Sequence, residues 1–318
     1  MYTDVPEPAL WEHSSDLVEP DDFDEFWSAT LAQARDSDAR PTAEPVPGLH
    51  TVDAYDVSFP GFAGDPVRAW WWVPRGAAGP LPVVVQYVGY GGGRGHVLEN
   101  LHWSAAGFAH LVMDTRGQGS GWSRGVTPDP WGTGPQVPGV MTRGIEDPAT
   151  YYYRRLITDA VRAVDAARRL PGADPERVAV VGGSQGGAMA IATAALAEVD
   201  SVVADVPFLC DIARAVTITD AAPFAEVRDY LAQHRDAAGQ VLRTLSYVDG
   251  VAFARRATAP ARLSVALMDA IVPPSTVVAA HRAWAGEAEL RVWRYNAHEG
   301  GGPEDHAEGI AFVRRTLV

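Results

Sequence analysis

The fold of this chain is decided by the stretch Val178-Ala-Val-Val-Gly-Gly-Ser-Gln-Gly-Gly-Ala-Met-Ala190. Four apolar residues precede a glycine-flanked serine and a run of small residues, which is typical of a strand, a sharp turn and a helix. Residues 182–186 match the G-x-S-x-G pattern, in which a strained turn exposes a nucleophilic serine. Glycines are needed there because the strand and helix backbones pass close to the turn. Ser184 is therefore the candidate nucleophile; the alternative is an ordinary serine in a glycine-rich turn.

The composition excludes several partners and chemistries. The chain has 318 residues, of which 47% are hydrophobic and 21% charged, as in a globular protein with a sizeable core. A net charge of −14 argues against nucleic acid and anionic membrane surfaces as partners. The sequence contains no lysine, which excludes a lysine nucleophile, and Cys210 is its single cysteine, which excludes an intrachain disulfide. We expect neither a metal nor a cofactor.

The N-terminal residues carry no visible targeting signal. Residues 1–6 lack the basic and apolar regions of a signal peptide. No run in the sequence approaches the ~18 apolar residues of a membrane-spanning helix. We therefore expect a cytoplasmic protein.

Short apolar runs predict a mostly parallel sheet. Residues 55–59 alternate between apolar and polar, and residues 67–73 are aromatic and β-branched, which predicts two antiparallel strands at one edge. Continuous apolar runs suit strands that are covered on both faces. These runs lie at residues 82–87, 108–113, 178–181, 201–205, 263–267 and 289–293.

Helical patterns separate these strands, so the predicted fold class is α/β, a doubly wound sheet with helices on both faces. The predicted helices lie at residues 153–170, 276–284 and 305–317. Near the N-terminus we expect a helix from about Pro20 to Arg35, followed by a proline-rich connector at residues 41–47. The prediction is one domain, 1–318, with residues 1–47 as a helical extension and connector packed on it.

A nucleophilic serine needs a base and a carboxylate that orients the base. After a G-x-S-x-G turn of this kind, the expected chain order is serine, acid, histidine. Asp269 follows the run 263–267, and His298 follows the run 289–293 in a glycine-rich loop. Asp269 and His298 are therefore the candidate partners of Ser184; a turn-forming aspartate and a surface histidine are the alternatives.

Two backbone N–H groups are needed to hold a developing oxyanion. The residue after the nucleophile supplies one, so Gln185 is the first candidate. The loop after the strand 83–87 supplies the second; we choose Tyr90, with Gly89 beside it in the substrate site. A flexible glycine-rich loop is the alternative.

We expect Asp114 and Arg116 to form a structural ion pair that holds the loop 117–121, with substrate contact as the alternative.

The chain resembles the acetyl xylan esterase and cephalosporin-C deacetylase family, carbohydrate esterase family seven, of the α/β-hydrolase superfamily. The resemblance extends from about Tyr87 almost to the C-terminus. The matching stretches are Asp114-Thr-Arg-Gly-Gln-Gly119, Gly139-Val-Met-Thr-Arg-Gly-Ile-Glu-Asp-Pro148, Tyr151-Tyr-Tyr-Arg154, Gly182-Gly-Ser-Gln-Gly-Gly187, Pro207-Phe-Leu-Cys-Asp211, Thr244-Leu-Ser-Tyr247, Leu267-Met-Asp-Ala-Ile-Val-Pro-Pro-Ser-Thr276 and His298-Glu-Gly-Gly301.

The resemblance implies Ser184, Asp269 and His298 as a triad, with the Tyr90 and Gln185 amides as the oxyanion hole. It also implies deacetylation of small acetylated sugars and cephalosporin-type esters by a hexamer. We expect a subunit contact in the loop 126–140, which contains Trp131. The sequence departs from the family at Val88, where histidine is usual, a change that bears on acyl preference. Val272 replaces a common cysteine, and we expect no catalytic effect there.

Three hypotheses follow. The first is a serine carboxylesterase. The second keeps the triad but cleaves an amide or thioester, with Glu299 or Arg214 recognising a charged substrate end if either lines the pocket. The third is a ligand-binding relative without catalysis, which the complete triad argues against. Fold alone does not separate the three.

Overall fold

The apolar runs form one sheet in the computed structural model, which describes residue 2, residues 4–37 and residues 39–318. Within these residues the order of the strands across the sheet is β1-β2-β3-β5-β4-β6-β7-β8-β9. The strands are β1 (Thr42–Val46), β2 (Val52–Pro60), β3 (Pro66–Pro74), β4 (Leu81–Tyr87), β5 (Ala109–Met113), β6 (Ala173–Gly183), β7 (Ser201–Asp205), β8 (Ala261–Ala266) and β9 (Ala288–Trp293).

The direction of pairing changes once across the sheet. Strands β1, β2, β3 and β5 pair antiparallel, and the pairs from β5 through β9 are parallel. The predicted α/β fold, mostly parallel with an antiparallel N-terminal edge, is confirmed.

Helices cover both faces of this sheet. They are α1 (Glu7–Glu12), α2 (Phe23–Arg35), α3 (His102–Ala105), α4 (Tyr152–Ala167), α5 (Gln185–Leu196), α6 (Ile212–Ile218), α7 (Phe224–Gln233), α8 (Ala238–Ser246), α9 (Gly250–Ala254), α10 (Pro274–Ala283) and α11 (Pro303–Leu317). Over the part of the chain that the structure describes, none of the helices combines the length and the apolarity needed to cross a membrane.

Alternation along the central strand divides the core between the two faces. In β6, Val178 and Val180 belong to the large core that includes α4 and α5, whereas Ala179 and Val181 belong to a smaller core with α3 and α11. Each fully buried valine of this kind contributes ~1.5–3 kcal/mol to folding. Burial on both faces explains why these strands are continuously apolar in sequence.

The N-terminal part differs from the prediction. The predicted helix is present as α2, and its Trp27 indole N–H donates to the Tyr247 carbonyl at 2.9 Å. The predicted connector at residues 41–47 was wrong, because Thr42–Val46 forms β1 and pairs with β2. Pro45 is tolerated because β1 is an edge strand in the described sheet, where a missing N–H can face away from the partner. Division of the chain into one domain with an extension remains a prediction.

The parallel strands bring distant segments to one edge of the sheet. Ser184 follows β6, Asp269 follows β8 and His298 follows β9. The loop with Tyr90 follows β4. All four strands are parallel, so their carboxyl ends lie at the same edge, where ligands bind in open α/β sheets.

Candidate active site

Ser184 stands on the sharp turn between β6 and α5. Its φ of 55° and ψ of −120° lie outside the regions that a non-glycine residue normally adopts, so the turn is strained. A Cβ on Gly182 would lie 2.4 Å from the Gly186 backbone, and one on Gly186 would lie 2.3 Å from the Tyr87 carbonyl oxygen. The two glycines therefore permit the close approach that holds Ser184 at the edge of a cavity.

His298 lies against Ser184. Its Nε2 is 2.9 Å from the Ser184 Oγ, and its Nδ1 is 2.7 Å from Oδ2 of Asp269. An ionised carboxylate only accepts hydrogen bonds, so the proton of the neutral ring is on Nδ1 and Nε2 faces the serine as an acceptor. The ring is placed to take the proton from the Ser184 hydroxyl.

Asp269 is held in place by its own loop. The carboxylate is 1% exposed, and its Oδ1 accepts from the backbone N–H groups of Ile271 at 2.8 Å and Val272 at 2.9 Å. These bonds fix one oxygen and leave Oδ2 aimed at His298. Val272 contributes a peptide N–H, so its side chain does not alter this arrangement.

The loop that carries His298 is tied to a buried polar network. The Gly301 N–H donates to Asp305 Oδ2 at 2.7 Å, and a Cβ on Gly301 would lie 2.2 Å from the Trp293 ring. Trp293 and Arg262 both donate to Asp305 Oδ1, at 3.0 and 2.8 Å. A glycine at position 301 is therefore required by close packing against Trp293.

The first turn of α5 begins beside Ser184. Ser184 is the N-cap of α5, so the Gln185 N–H belongs to the first turn of the helix, where backbone donors have no acceptor inside the helix. The positive end of the helix dipole strengthens the attraction of this N–H group for a negative charge. The Gln185 N–H is thus suited to a negatively charged oxygen next to Ser184.

The loop after β4 faces the same point. Gly89 and Tyr90 line the cavity together with Ser184. The Trp122 indole N–H donates to the Tyr90 carbonyl at 2.8 Å, and the Gly91 N–H donates to Gln118 Oε1 at 2.6 Å. These two bonds hold the Tyr90–Gly91 peptide. The Gly92 N–H donates to the Gly89 carbonyl at 3.1 Å and so holds the preceding peptide, which carries the Tyr90 N–H.

Gln118 connects the two candidate oxyanion donors. Besides accepting from Gly91, its Nε2 donates to Oε1 of Gln185 at 2.9 Å. The Gln185 side chain in turn donates to the Val88 carbonyl at 3.2 Å. One side chain from the loop after β5 thereby sets the spacing between the start of α5 and the loop after β4.

The cavity at this site has a volume of about 850 Å³. Trp122, Pro223 and Ile271 give part of its wall an apolar character, and Trp122 is 67% exposed. Another part of the wall carries His102 and His306, whose rings stack at 4.7 Å. Over residues 2, 4–37 and 39–318, no group of three or more His, Cys, Asp or Glu side chains is placed to hold a metal ion.

Burial shifts the ionisable groups in this wall. It lowers the pKa of His102 to about 4, with a further contribution from His306, and it also lowers the pKa of His306. Burial and then the charge of Asp305 raise the pKa of Asp205 to about 7. The histidines are therefore neutral near pH 7, and the wall carries little positive charge.

Comparison with known sequences identifies the family. The family model "Acetyl xylan esterase (AXE1)" matches residues 1–316. The chain belongs to the acetyl xylan esterase family. The prediction of the family is confirmed, as is that of a carboxylic ester hydrolase at the level of the family.

Solved structures of this family cover nearly the whole chain. An acetyl xylan esterase from Paenibacillus sp. R4 is 36% identical, with a TM-score of 0.93 over 98% of this chain and 100% of that one. Acetyl xylan esterase 1 from Thermoanaerobacterium sp. JW/SL YS485 is 30% identical, with a TM-score of 0.90 over 99% and 100%.

A curated relative is longer than this chain. The acetyl esterase Axe7A of Xylanibacter ruminicola is 29% identical over 264 residues, in a match that covers 81% of this chain. The match spans 58% of the relative's length.

The departure from the acetyl xylan esterase pattern at Val88 lies next to the site. The Val88 side chain is 8% exposed and packs with Trp72, Val97 and Val112 behind the loop. Its carbonyl accepts from the Gln185 side chain. The backbone at this position therefore keeps a contact with Gln185 that does not depend on the side chain.

The predicted ion pair between Asp114 and Arg116 was wrong. Asp114 accepts from backbone N–H groups of Arg94, Val126 and Thr127 at 2.7 to 2.9 Å, and so fixes the loop that follows. Arg116 instead belongs to a buried arginine cluster, which consists of Arg116, Arg143, Arg155, Asp65, Asp129 and Asp159. Both residues are structural, but their partners come from elsewhere in the sequence.

Of the two residues considered for recognising a charged substrate end, one lines the cavity and the other does not. Glu299 lines the cavity. Arg214 lies outside it and donates to Ser275 Oγ at 2.8 Å and to Asp4 at 3.1 Å. Arg214 is therefore engaged elsewhere, and only a cationic substrate end would suit the remaining candidate.

Sequence reasoning missed three residues of the site. Gln118 lies in the stretch Asp114-Thr-Arg-Gly-Gln-Gly119, which matches the family, but the sequence does not indicate what this glutamine contacts. Trp122 follows that motif in a glycine-rich loop, which signals exposure but not contact with Tyr90. Glu226, which bonds the Tyr90 side chain at 2.6 Å, lies in an ordinary amphipathic helix and carried no signal.

Proposed function

We propose that this protein is a serine carboxylesterase that removes acetyl groups from small acetylated substrates through an acyl-enzyme intermediate. The observation that carries the proposal is the continuous hydrogen-bond chain Ser184–His298–Asp269, with distances of 2.9 and 2.7 Å. A nucleophile, a base and an orienting acid in this geometry, at the edge of a cavity, are the requirements of acyl transfer.

In the acylation step, the Ser184 Oγ attacks the acetyl carbonyl carbon while His298 Nε2 takes the hydroxyl proton. The carbonyl electron pair moves onto oxygen, and the backbone N–H groups of Gln185 and Tyr90 receive that oxyanion. His298 then gives its proton to the leaving alcohol, whose bond to the acetyl carbon breaks. Asp269 keeps the ring in the correct tautomer and stabilises its charged form.

In the deacylation step, a water molecule takes the place of the alcohol. His298 removes a proton from it as the water oxygen attacks the acetyl carbon. The bond to Ser184 Oγ breaks, and the serine recovers its proton from His298. The product is acetic acid, which carries the second proton of the water and leaves as acetate once that proton passes to the solvent, and the site returns to its starting protonation state.

We propose acetylated xylo-oligosaccharides and cephalosporin-C-type esters as substrates. The similarity to two acetyl xylan esterases over nearly the whole chain supports the sugar substrates. The exposed face of Trp122 at the cavity offers a flat apolar surface for a neutral ring. A net charge of −14 also favours neutral substrates over anionic ones.

We further propose a cytoplasmic homo-oligomer, a hexamer by its resemblance to the family. The half-exposed Trp131 in the loop 126–140 supports a subunit contact there, because large exposed aromatic side chains favour interfaces. Light scattering tests this proposal: a hexamer is expected, and a monomer would contradict it.

The single, buried Cys210 supports a reducing compartment.

The decisive experiment compares esters of different acyl length in wild type and Ser184→Ala. We expect p-nitrophenyl acetate to be hydrolysed faster than the butyrate and octanoate esters, and Ser184→Ala to lose about 10⁶-fold in kcat. Ser246→Ala is the control, since its hydroxyl donates to the Arg243 carbonyl at 2.7 Å in α8, outside the cavity.

The possible results separate the hypotheses. Preference for acetate that disappears only in Ser184→Ala supports the proposal. Faster hydrolysis of the butyrate or octanoate ester would show that the protein is a general esterase and that the proposed acetyl specificity is wrong. If amide or thioester substrates were cleaved instead of oxygen esters, the bond assigned here would be wrong.

A further inference from the structure

We infer that Glu226 is a positioning residue for the oxyanion hole, acting through the side chain of Tyr90. The inference rests on the proposed function, since it concerns the same ester-cleaving site. Glu226 lies on α7, three residues after Pro223 in the cavity wall, and is 7% exposed. Its carboxylate meets the Tyr90 hydroxyl at 2.6 Å.

The Tyr90 side chain is clamped on two sides. Its hydroxyl donates to Glu226 Oε1 and accepts from the Val140 N–H at 2.7 Å. Glu226 Oε2 accepts from the Met141 N–H at 3.0 Å. One carboxylate therefore joins the Tyr90 side chain, α7 and the segment 139–141.

Holding the Glu226 carboxylate between Tyr90 and the segment 139–141 costs solvation free energy. Burial raises the pKa of Glu226, and the groups that bond it in the described part of the chain are a phenol and backbone N–H groups of Val140 and Met141, not cations. A carboxylate in such surroundings loses solvation that neutral donors only partly replace. A Cβ on Gly139 would lie 2.2 Å from the carboxylate, so the segment 139–141 is fitted closely around it.

The clamp acts on the backbone of Tyr90. The Tyr90 carbonyl and the Gly91 N–H are held by Trp122 and Gln118, and the Tyr90 side chain is held by Glu226. These restraints come from two separate segments of the chain, the loop that contains Gln118 and Trp122 and the helix α7. They restrain the side chain of Tyr90 and the Tyr90–Gly91 peptide, and the Gly92 N–H holds the carbonyl of the Gly89–Tyr90 peptide at 3.1 Å. Together these contacts keep the Tyr90 N–H directed at the point where the oxyanion forms. An oxyanion donor works because it does not have to reorganise during the reaction.

A matched pair on the same helix provides the control. Tyr230, also on α7, is 2% exposed and donates to Glu146 Oε1 at 2.9 Å. This pair has the same chemistry but does not line the cavity. Tyr230 is buried and Glu146 is exposed, so changes to this pair report the structural cost of losing a part-buried phenol–carboxylate bond on the same helix.

The test uses Tyr90→Phe, Glu226→Gln and the double variant. We expect each single change to lower kcat about tenfold with KM nearly unchanged, less than the 10²–10³-fold loss of a whole oxyanion donor. Glutamine presents an amide N–H₂ either to the Met141 N–H or to the phenol, so one donor loses its acceptor. Because both changes break the same bond, the double variant should be no slower than the worse single variant.

The control variants are Tyr230→Phe and Glu146→Gln. They should lower the Tm by no more than Tyr90→Phe and Glu226→Gln do, because Glu146 is exposed, and leave kcat within about twofold of wild type. All rates are measured well below the lowest Tm, so that unfolding does not contribute.

Different results overturn different conclusions. Wild-type kcat in folded Tyr90→Phe and Glu226→Gln would refute the positioning role, as would losses that multiply in the double variant. Equal losses of kcat in the Tyr230 and Glu146 variants would also refute it, because the effect would then be general. Loss of the proposed function itself would appear separately, as ester hydrolysis that does not depend on Ser184.

Discussion

The triad and the arginine cluster are both polar groups assembled from distant parts of the chain, but they differ in what their hydrogen-bonding groups face. In the arginine cluster, the guanidinium of Arg116 is 0% exposed and is bonded by Asp65, Asp129 and Asp159. In the triad, Ser184 and His298 line a cavity, and His298 is 25% exposed.

The difference teaches how a reactive group of polar residues can be told from a structural one. Partners in the arginine cluster satisfy one another, so the charge is neutralised and nothing remains for a ligand. The triad leaves the serine hydroxyl beside an open volume, and the strained turn holds it there. A reactive site needs bonding capacity that is still free, not merely polar residues brought together.

After Ser184→Ala, the largest expected effect on kcat comes from changing Asp269 in the triad. Asp269→Asn should lower kcat about 10⁴-fold, because the amide favours the wrong tautomer of His298. The Tm should change little, since the amide oxygen still accepts from Ile271 and Val272. Steady-state kinetics with p-nitrophenyl acetate and a thermal melt check both; a kcat within tenfold of wild type would refute the role of Asp269.

The arginine cluster should respond in the opposite way. Asp159→Asn leaves Arg116 without its main buried partner, and breaking a buried ion pair costs about 3–5 kcal/mol of unfolding free energy. While the variant is folded, kcat should stay within about threefold of wild type, because no member of this ion pair lines the cavity. Urea unfolding and ester hydrolysis measure the two quantities.

An exposed pair provides the control for Asp159→Asn. Asp53 and Arg75 lie 2.6 Å apart with exposed fractions of 44% and 50%. Asp53→Asn should cost less than ~1 kcal/mol. If both variants lost the same stability, burial would not be what makes the cluster matter.

How much of this comparison could be read from the sequence depends on how local each signal is. Ser184, Asp269 and His298 were accessible because a turn motif and a fixed chain order name them. The partner of Arg116 was not, because Asp159 lies 43 residues away on α4 in a pattern that reads as an ordinary helix. Asp114, two residues from Arg116, was the wrong choice because proximity in sequence does not set the direction of a side chain.

The same reasoning applies to the fold. Continuous apolar runs predicted the parallel strands because burial on both faces leaves a clear pattern. β1 was missed because it carries a proline and alternates weakly, as an edge strand does. Glu226 was missed because its role depends on the segment 139–141, which sequence spacing does not bring near it.

Gln118 holds the loop that carries the candidate oxyanion donor Tyr90. Changing Gln118 should lower kcat by less than a change in the triad does. Gln118→Ala removes the acceptor of the Gly91 N–H and the donor to Gln185, so we expect kcat to fall about 10–100-fold with KM little changed. Gln118→Glu retains the acceptor for Gly91 and should lose less. Equal losses in the two variants would show that the bond to Gly91 does not matter.

A final expected effect concerns acid stability and does not involve kcat. His102 has a pKa lowered to about 4 by burial, below its ordinary value of 6.5, so the unfolded chain binds more protons between these values. This contribution to stability is present above pH 6.5 and is lost as the pH falls towards 4. Urea unfolding across this range should show a shallower fall for His102→Leu than for wild type. Identical slopes would contradict the prediction.

The central claim is a covalent acetyl intermediate on Ser184, and rapid acid quench followed by peptide mass spectrometry tests it most directly. During turnover of p-nitrophenyl acetate, the peptide containing Ser184 should carry one acetyl group in wild type and none in Ser184→Ala. Turnover with this peptide unmodified in wild type, or with the same acetylation in Ser184→Ala, would contradict the account.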